Sequence, residues 1–182
     1  MIQVLVADDS PTARALLVEI IRSDRDLVVA AEARNGREAV ELAKQLRPGL
    51  ITMDIHMPVM DGLAATKEIM IEVPTPIVLV TGSQESREVE IAMNALRVGA
   101  VTVLRKPPGP GSAHFDEEAS TFLRTIKAMA DVKVVRHWRT RQPAPRVAAE
   151  AAVDAVVIAT STGGPAALYR LLEGLPADLP AP

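Results

Sequence analysis

Short apolar runs alternate with longer stretches in which apolar residues recur every three or four positions. The runs Ile2–Ala7, Leu27–Ala33, Leu50–Met53, Ile77–Val80 and Val101–Leu104 are largely apolar, as strands covered on both faces are. Between the first two, Ala13, Leu16, Leu17, Ile20 and Ile21 share one face of a helix predicted over 12–23. Asn35-Gly36 opens a second helix that reaches Leu46, with Ala39, Val40, Leu42, Ala43 and Leu46 inward; Pro48-Gly49 ends it. Further helices are predicted over 63–71, 85–98 and 115–130, with Gly99 placed to cap the fourth. The run Pro107-Pro-Gly-Pro-Gly-Ser112 breaks the chain before the fifth. Strand and helix alternating in this way predict an α/β domain, a doubly wound parallel sheet with right-handed crossovers.

The pattern changes at Asp131. Residues 131–152 hold Lys133, Arg136, His137, Arg139, Arg141 and Arg146, two prolines and the single Trp138, which reads as an interdomain linker. A nucleic-acid arm is the sharper reading, but the stretch lacks a recognition helix with a partner helix. Residues 153–182 resume the alternation: an apolar strand Val153–Ala159, the turn Thr160-Ser-Thr-Gly-Gly-Pro165, then a helix. The predicted organisation is a domain over 1–130, a linker over 131–152 and the first βα unit of a second α/β domain over 153–182.

Composition narrows the classes. The net charge of −3 argues against general nucleic-acid affinity. With 1 Trp, 1 Tyr and 2 Phe, the core is aliphatic. The absence of cysteine removes disulfide, zinc–thiolate and thiol chemistry. No basic segment precedes a long apolar one at the N-terminus, and no apolar run reaches the roughly 18 residues of a membrane span. The expectation is a cytoplasmic protein without membrane insertion or a nucleic-acid partner.

Chemistry gathers at the strand ends. Asp54 stands where its strand meets a loop, followed by Pro58 and the turn Asp61-Gly62. Alone, such an aspartate is a turn former or a helix cap. The first strand, however, ends in Asp8-Asp9, the fourth in Thr81-Gly82 and the fifth in Arg105-Lys106-Pro107. In a doubly wound sheet all these ends open at one edge, where ligands bind. Three carboxylates held together repel one another unless a cation lies among them, and hard oxygen donors with room for water suit Mg²⁺.

This set resembles the receiver domain of bacterial response regulators: Asp8-Asp9, Asp54 with Met57-Pro58 and Asp61-Gly62, Thr81, and Lys106-Pro107. The resemblance implies a flavodoxin-like five-stranded sheet of order 2-1-3-4-5 over about residues 1–130. It implies Asp54 as phosphoacceptor and a histidine kinase as phosphodonor. It implies Mg²⁺ held by Asp9, Asp54 and the backbone carbonyl of His56, with Asp8 supporting the metal through water. Lys106 and Thr81 would bind the phosphoryl group, Thr81 moving with it. The His56 side chain is expected to face solvent and gate water access, a catalytic imidazole being the alternative. Val103 departs from the aromatic residue that many receivers carry three before the lysine, so activation is expected to reach the output surface by another route.

Ser161 lies between a strand and a helix N-terminus, where backbone N–H groups can stabilise an anion. A phosphate-binding turn or a plain tight turn fits the same residues. A receiver followed by a charged linker and Val-Ile-Ala-Thr-Ser-Thr-Gly-Gly-Pro resembles the chemotaxis protein-glutamate methylesterases, although that family usually carries glycine near Ala159 or Thr160. The resemblance implies Ser161 as the nucleophile of a Ser-His-Asp triad that hydrolyses methyl-glutamate on chemoreceptors and deamidates receptor glutamines. The histidines are His56, His114 and His137, none after Ser161. The triad histidine and aspartate are expected beyond Pro182, and this chain alone is expected to be inactive as an esterase. Two other classes stay open: a receiver acting only by binding partners, and a regulator with a different effector.

Overall fold

The computed structural model describes residues 1–82 and 88–135. The chain divides into two compact units, Met1–Arg139 and Thr140–Pro182, and the described residues belong to the first. Its strands are β1 (Ile2–Ala7), β2 (Leu27–Ala33), β3 (Leu50–Asp54), β4 (Ile77–Thr81) and β5 (Thr102–Arg105). The helices that separate and follow them are α1 (Pro11–Arg22), α2 (Gly36–Leu46), α3 (Gly62–Glu72), α4 (Glu88–Val98) and α5 (Phe115–Ala130). All strand pairs are parallel, and the order is β2-β1-β3-β4-β5, as the receiver resemblance implied.

The two-residue side-chain period of a strand sorts the core into two layers. Leu5, Ile51, Met53, Ile77 and Leu79 face Ala39, Val40, Ala43, Ala65, Ile69 and Ala95 on α2, α3 and α4. Val4, Val6, Leu50, Val78 and Val80 face Leu17, Ile20, Ile21, Phe122 and Ile126 on α1 and α5. The central strands are therefore apolar at consecutive positions because both of their faces are buried. Thr52 is the polar interruption; its side chain is fully buried and its Oγ1 has no hydrogen-bond partner among the described residues.

Helix starts follow local chemistry. Ser10, Asn35 and Asp61 cap α1, α2 and α3, accepting from the N–H groups of Ala13, Glu38 and Ala64. Each such cap is worth about 1 kcal/mol. The second helix ends at Leu46, as expected: Arg47 adopts the left-handed conformation (φ 46°) and returns its N–H to Ala43 O. Pro48 disfavours a helical residue before it, which places the reversal at Arg47. Leu46, expected inward, is 40% exposed in that last turn. The Gly99 cap is as expected, with φ 102°. The expected start of the fourth helix, at 85, lies outside the described residues, which resume at Glu88.

Candidate functional site: an acidic pocket at the sheet's switch point

β1 leads outward to β2 on one side, while β3 lies on its other side. The strand order reverses between β1 and β3, and a crevice opens at their carboxyl ends. Asp8 directly follows β1, and Asp54 closes β3. Both continue the alternation that points Val4, Val6, Leu50 and Thr52 to one face of the sheet. They therefore leave the sheet on the same side and meet.

The pocket is tightly built. Asp8, Asp9 and Asp54 can bring one carboxylate oxygen each within 4.8 Å of the others, the one such cluster among the described residues. Asp8 is fully buried, Asp54 is 6% exposed, and Asp9 is exposed. The Lys106 ammonium stands 2.8 Å from Asp8 Oδ2 and 3.2 Å from Asp54 Oδ2. The first contact joins two charges without hydrogen-bond alignment, since Asp8 Oδ2 has no aligned donor among the described residues. Backbone amides fix the other oxygens: Ser10 N–H donates to Asp8 Oδ1 (3.0 Å) and Ile55 N–H to Asp54 Oδ1 (2.9 Å).

Protonation follows this layout. Burial pushes the Asp54 carboxyl above its ordinary value, and the Asp8 charge adds to the rise, while Lys106 opposes it. For Lys106, burial acts to lower the pKa, but Asp8 and Asp54 outweigh it and hold the ammonium above its ordinary 10.5. Three clustered carboxylates with one ammonium retain unbalanced negative charge. Together with an unaligned buried oxygen, they make a donor set suited to a hard divalent cation.

Other expected residues are placed around this centre. Thr81 ends β4 and is 6% exposed; its carbonyl accepts the Lys106 N–H at 2.8 Å, which ties the end of β5 to that of β4. Pro107 is buried directly after Lys106, holding the loop where a fixed cation needs it. His56 is exposed, two residues beyond Asp54 in the loop from β3 to α3. Val103 packs half-buried against the layer formed with α2, α3 and α4. Its branched side chain is stiff about χ1 and has no ring to swing. Ser161 lies outside the described residues.

The model of the response regulator receiver domain matches residues 4–114. The chain belongs to the response-regulator receiver family. Over its whole length, this receiver-containing chain is 56% identical to a protein-glutamate methylesterase/protein-glutamine glutaminase of Myxococcus xanthus, of which it covers 53%. It thus spans about half the length of the curated relatives it matches. The crystal structure of the response regulator domain of Thermotoga maritima CheB aligns with a TM-score of 0.66 at 41% identity, covering 73% of this chain and 98% of that one. The structure of the P1 domain of CheA3 in complex with CheY6 from R. sphaeroides aligns at TM-score 0.58 and 31% identity, covering 70% and 97%.

Two supports of the receiver's pocket escaped sequence reasoning. Arg14, on the first turn of α1, donates from Nη1 to the Asp8 carbonyl (2.7 Å) and from Nε to Glu32 on β2 (3.2 Å). Its guanidinium clamps the end of β1 between its neighbours, yet in sequence it reads as a solvated helix residue. Gly62 is the second. Its N–H donates to Ile55 O at 2.8 Å, and a Cβ there would meet the Asp54 carbonyl oxygen at 2.0 Å. The turn signal Asp61-Gly62 flagged the position but not the contact.

Proposed function

We propose that the chain is the phosphorylation-controlled part of a chemotaxis protein-glutamate methylesterase/protein-glutamine deamidase, with Asp54 as phosphoacceptor. The supporting observation is the convergence of Asp8, Asp9, Asp54 and Lys106 at the switch point. Asp9, Asp54 and the His56 carbonyl would hold Mg²⁺, with Asp8 supporting it through water. Bound there, the ion neutralises the carboxylates and the phosphoryl oxygens during in-line transfer.

The chain's own residues do the rest. A histidine kinase, in the cytoplasm, presents a phosphohistidine. The Asp54 carboxylate oxygen forms the new P–O bond as the P–N bond breaks, and the imidazole leaves with the electron pair. Ile55 N–H fixes the rotation of the Asp54 carboxylate. Lys106, held protonated by Asp8 and Asp54, then pairs with the phosphoryl oxygens. Thr81 donates its hydroxyl to the same group, and the face made by α4, β5 and α5 shifts in population. In the full enzyme this would uncover Ser161, the proposed nucleophile of a Ser-His-Asp triad. Methylated chemoreceptors are the substrate. The methylesterase/glutaminase activity for which the relatives are named and the crystallised pairing of a P1 domain with CheY6 support this reading.

The direct test is label uptake from a radiolabelled small-molecule phosphodonor with Mg²⁺. The parent chain takes up label that is lost under alkali, and Asp54→Asn takes up at least tenfold less, as an acyl phosphate at this site requires. Equal uptake by the two would overturn the assignment of Asp54.

A further inference from the structure

The first amide of α2 is aimed at the loop beside Asp54. Gly36 opens α2, and its N–H donates to Met60 O at 3.0 Å. Helices leave their first amides without intrahelical partners. Here one of them finds a carbonyl in the loop that joins β3 to α3, the loop that carries His56. The approach is closer than a side chain permits. A Cβ on Gly36 would lie 2.5 Å from Met60 O, and 2.9 Å from both Ala65 Cβ and Met60 Cγ. A clash with a backbone oxygen is not relieved by a rotamer change.

The start of α2 is the firmer side of this contact. Asn35 Oδ1 accepts from Glu38 N–H (2.9 Å), and the Glu38 carboxylate accepts from Arg34 N–H (2.7 Å). Ala39, Val40 and Ala43 are fully buried behind it. The loop is anchored at its two ends, by Asp54 Oδ1 on Ile55 N–H and by Gly62 N–H on Ile55 O. Its middle carries Val59, 84% exposed with φ 69°. That left-handed conformation is disfavoured for a β-branched residue and persists only where the surroundings hold it. A side chain at position 36 therefore presses on the middle of the loop at Met60 and on the first turns of α3 at Ala65.

We propose that Gly36 is a positioning residue for the acidic pocket. By letting α2 approach Met60 O, it sets the β3–α3 loop, which carries His56, the residue whose carbonyl the receiver reading assigns to a divalent cation beside Asp54. The inference rests on the receiver reading above and deepens it: α2 contributes no side chain to the pocket yet belongs to its geometry.

The test is Mg²⁺ binding by calorimetry to the unphosphorylated chain, compared across the parent, Gly36→Ala and Gly111→Ala. Gly111 is a control, because a Cβ there meets nothing within 4 Å. On helix propensity alone, alanine at 36 would be favourable. The expected result is instead an affinity for Mg²⁺ about tenfold weaker in Gly36→Ala, as for the loss of a group that orients a metal ligand, and unchanged in Gly111→Ala. Raising Mg²⁺ restores phosphorylation of Gly36→Ala from the small donor, which a general loss of fold would not allow. Amide exchange of the parent gives a reading that needs no variant: Mg²⁺ slows exchange at the Gly36 N–H, because coupling between two sites is reciprocal. Affinity of Gly36→Ala within twofold of the parent, or exchange at Gly36 indifferent to Mg²⁺, overturns the inference alone. A parent chain that binds no Mg²⁺ overturns the receiver reading and this inference with it.

Discussion

Asp54 is a carboxylate buried against a second carboxylate, and its proton affinity registers that placement. Burial raises its pKa and Asp8 raises it further, against the pull of Lys106. A carboxyl with a raised pKa binds its proton more tightly in the folded chain than in the unfolded one. Its contribution to stability is therefore fully present below the ordinary value of 3.8 and is lost as pH rises through the folded value. At neutral pH the ionised Asp54 is a net cost. Asp54→Asn removes that charge while leaving Asp8 to pair with Lys106, so the variant melts a few degrees higher at pH 7, a gain on the order of 1 kcal/mol. The gain shrinks as pH approaches 3.8. Thermal unfolding across pH checks this, and a variant less stable than the parent at pH 7 would contradict it. The same placement explains what could be read in advance. The placement of Asp8, Asp9, Asp54, Thr81 and Lys106 was legible because the ends of four strands of a doubly wound sheet open at one edge, although each residue alone also reads as a turn former, a cap or a solvated side chain. Arg14 and Gly36 were not, because their roles are contacts to backbone carbonyls of other elements, which no local pattern encodes.

The elements were legible where burial dictates periodicity and less so where a neighbouring backbone decides. β3, β4 and their two layers follow from runs that alternate between faces while staying apolar. The end of α2 follows too, since the reversal at Arg47 is forced by the proline after it. The start of α3 is the opposite case. Gly62 is pressed against the end of β3, with space for hydrogen only: an added Cβ would meet Asp54 O at 2.0 Å, Asp54 C at 3.0 Å and Ile55 Cα at 3.1 Å. All three are backbone atoms at the end of β3 and of the residue after it, beside the proposed phosphoacceptor. Gly62→Ala must separate α3 from β3 or break the N–H bond to Ile55 O. The expected loss is about 3 kcal/mol, or about 10 °C in Tm. Circular dichroism melts measure it directly. A Tm within 2–3 °C of the parent, roughly the effect of a surface substitution, would show that α3 can yield.

At the scale of the whole molecule, the proposed cation site in the acidic pocket would couple folding to cation binding. Asp8, Asp9 and Asp54 come from the ends of β1 and β3, strands brought together only when the sheet forms. The unfolded chain has no such cluster, so Mg²⁺ bound in the pocket as proposed is expected to stabilise the folded state in proportion to the logarithm of its concentration. At one hundred times its Kd the gain is about 2.7 kcal/mol, which for a domain of this size raises Tm by about 10 °C. Removing one carboxylate should separate the two effects that the pocket combines. Asp9→Asn, on the exposed side of the cluster, lowers the repulsion and so raises Tm slightly without Mg²⁺. It also loses an oxygen donor, so its Tm then rises far less than the parent's as Mg²⁺ is added, and the two melting curves cross. Ca²⁺ and Mg²⁺ titrations followed by thermal unfolding, with choline chloride holding ionic strength constant, would trace that crossing. Parallel curves for the parent and Asp9→Asn would mean that the cation's effect is screening alone and that Asp9 is no ligand. A crossing that disappears when Asp54 is also replaced would place both carboxylates on the same ion.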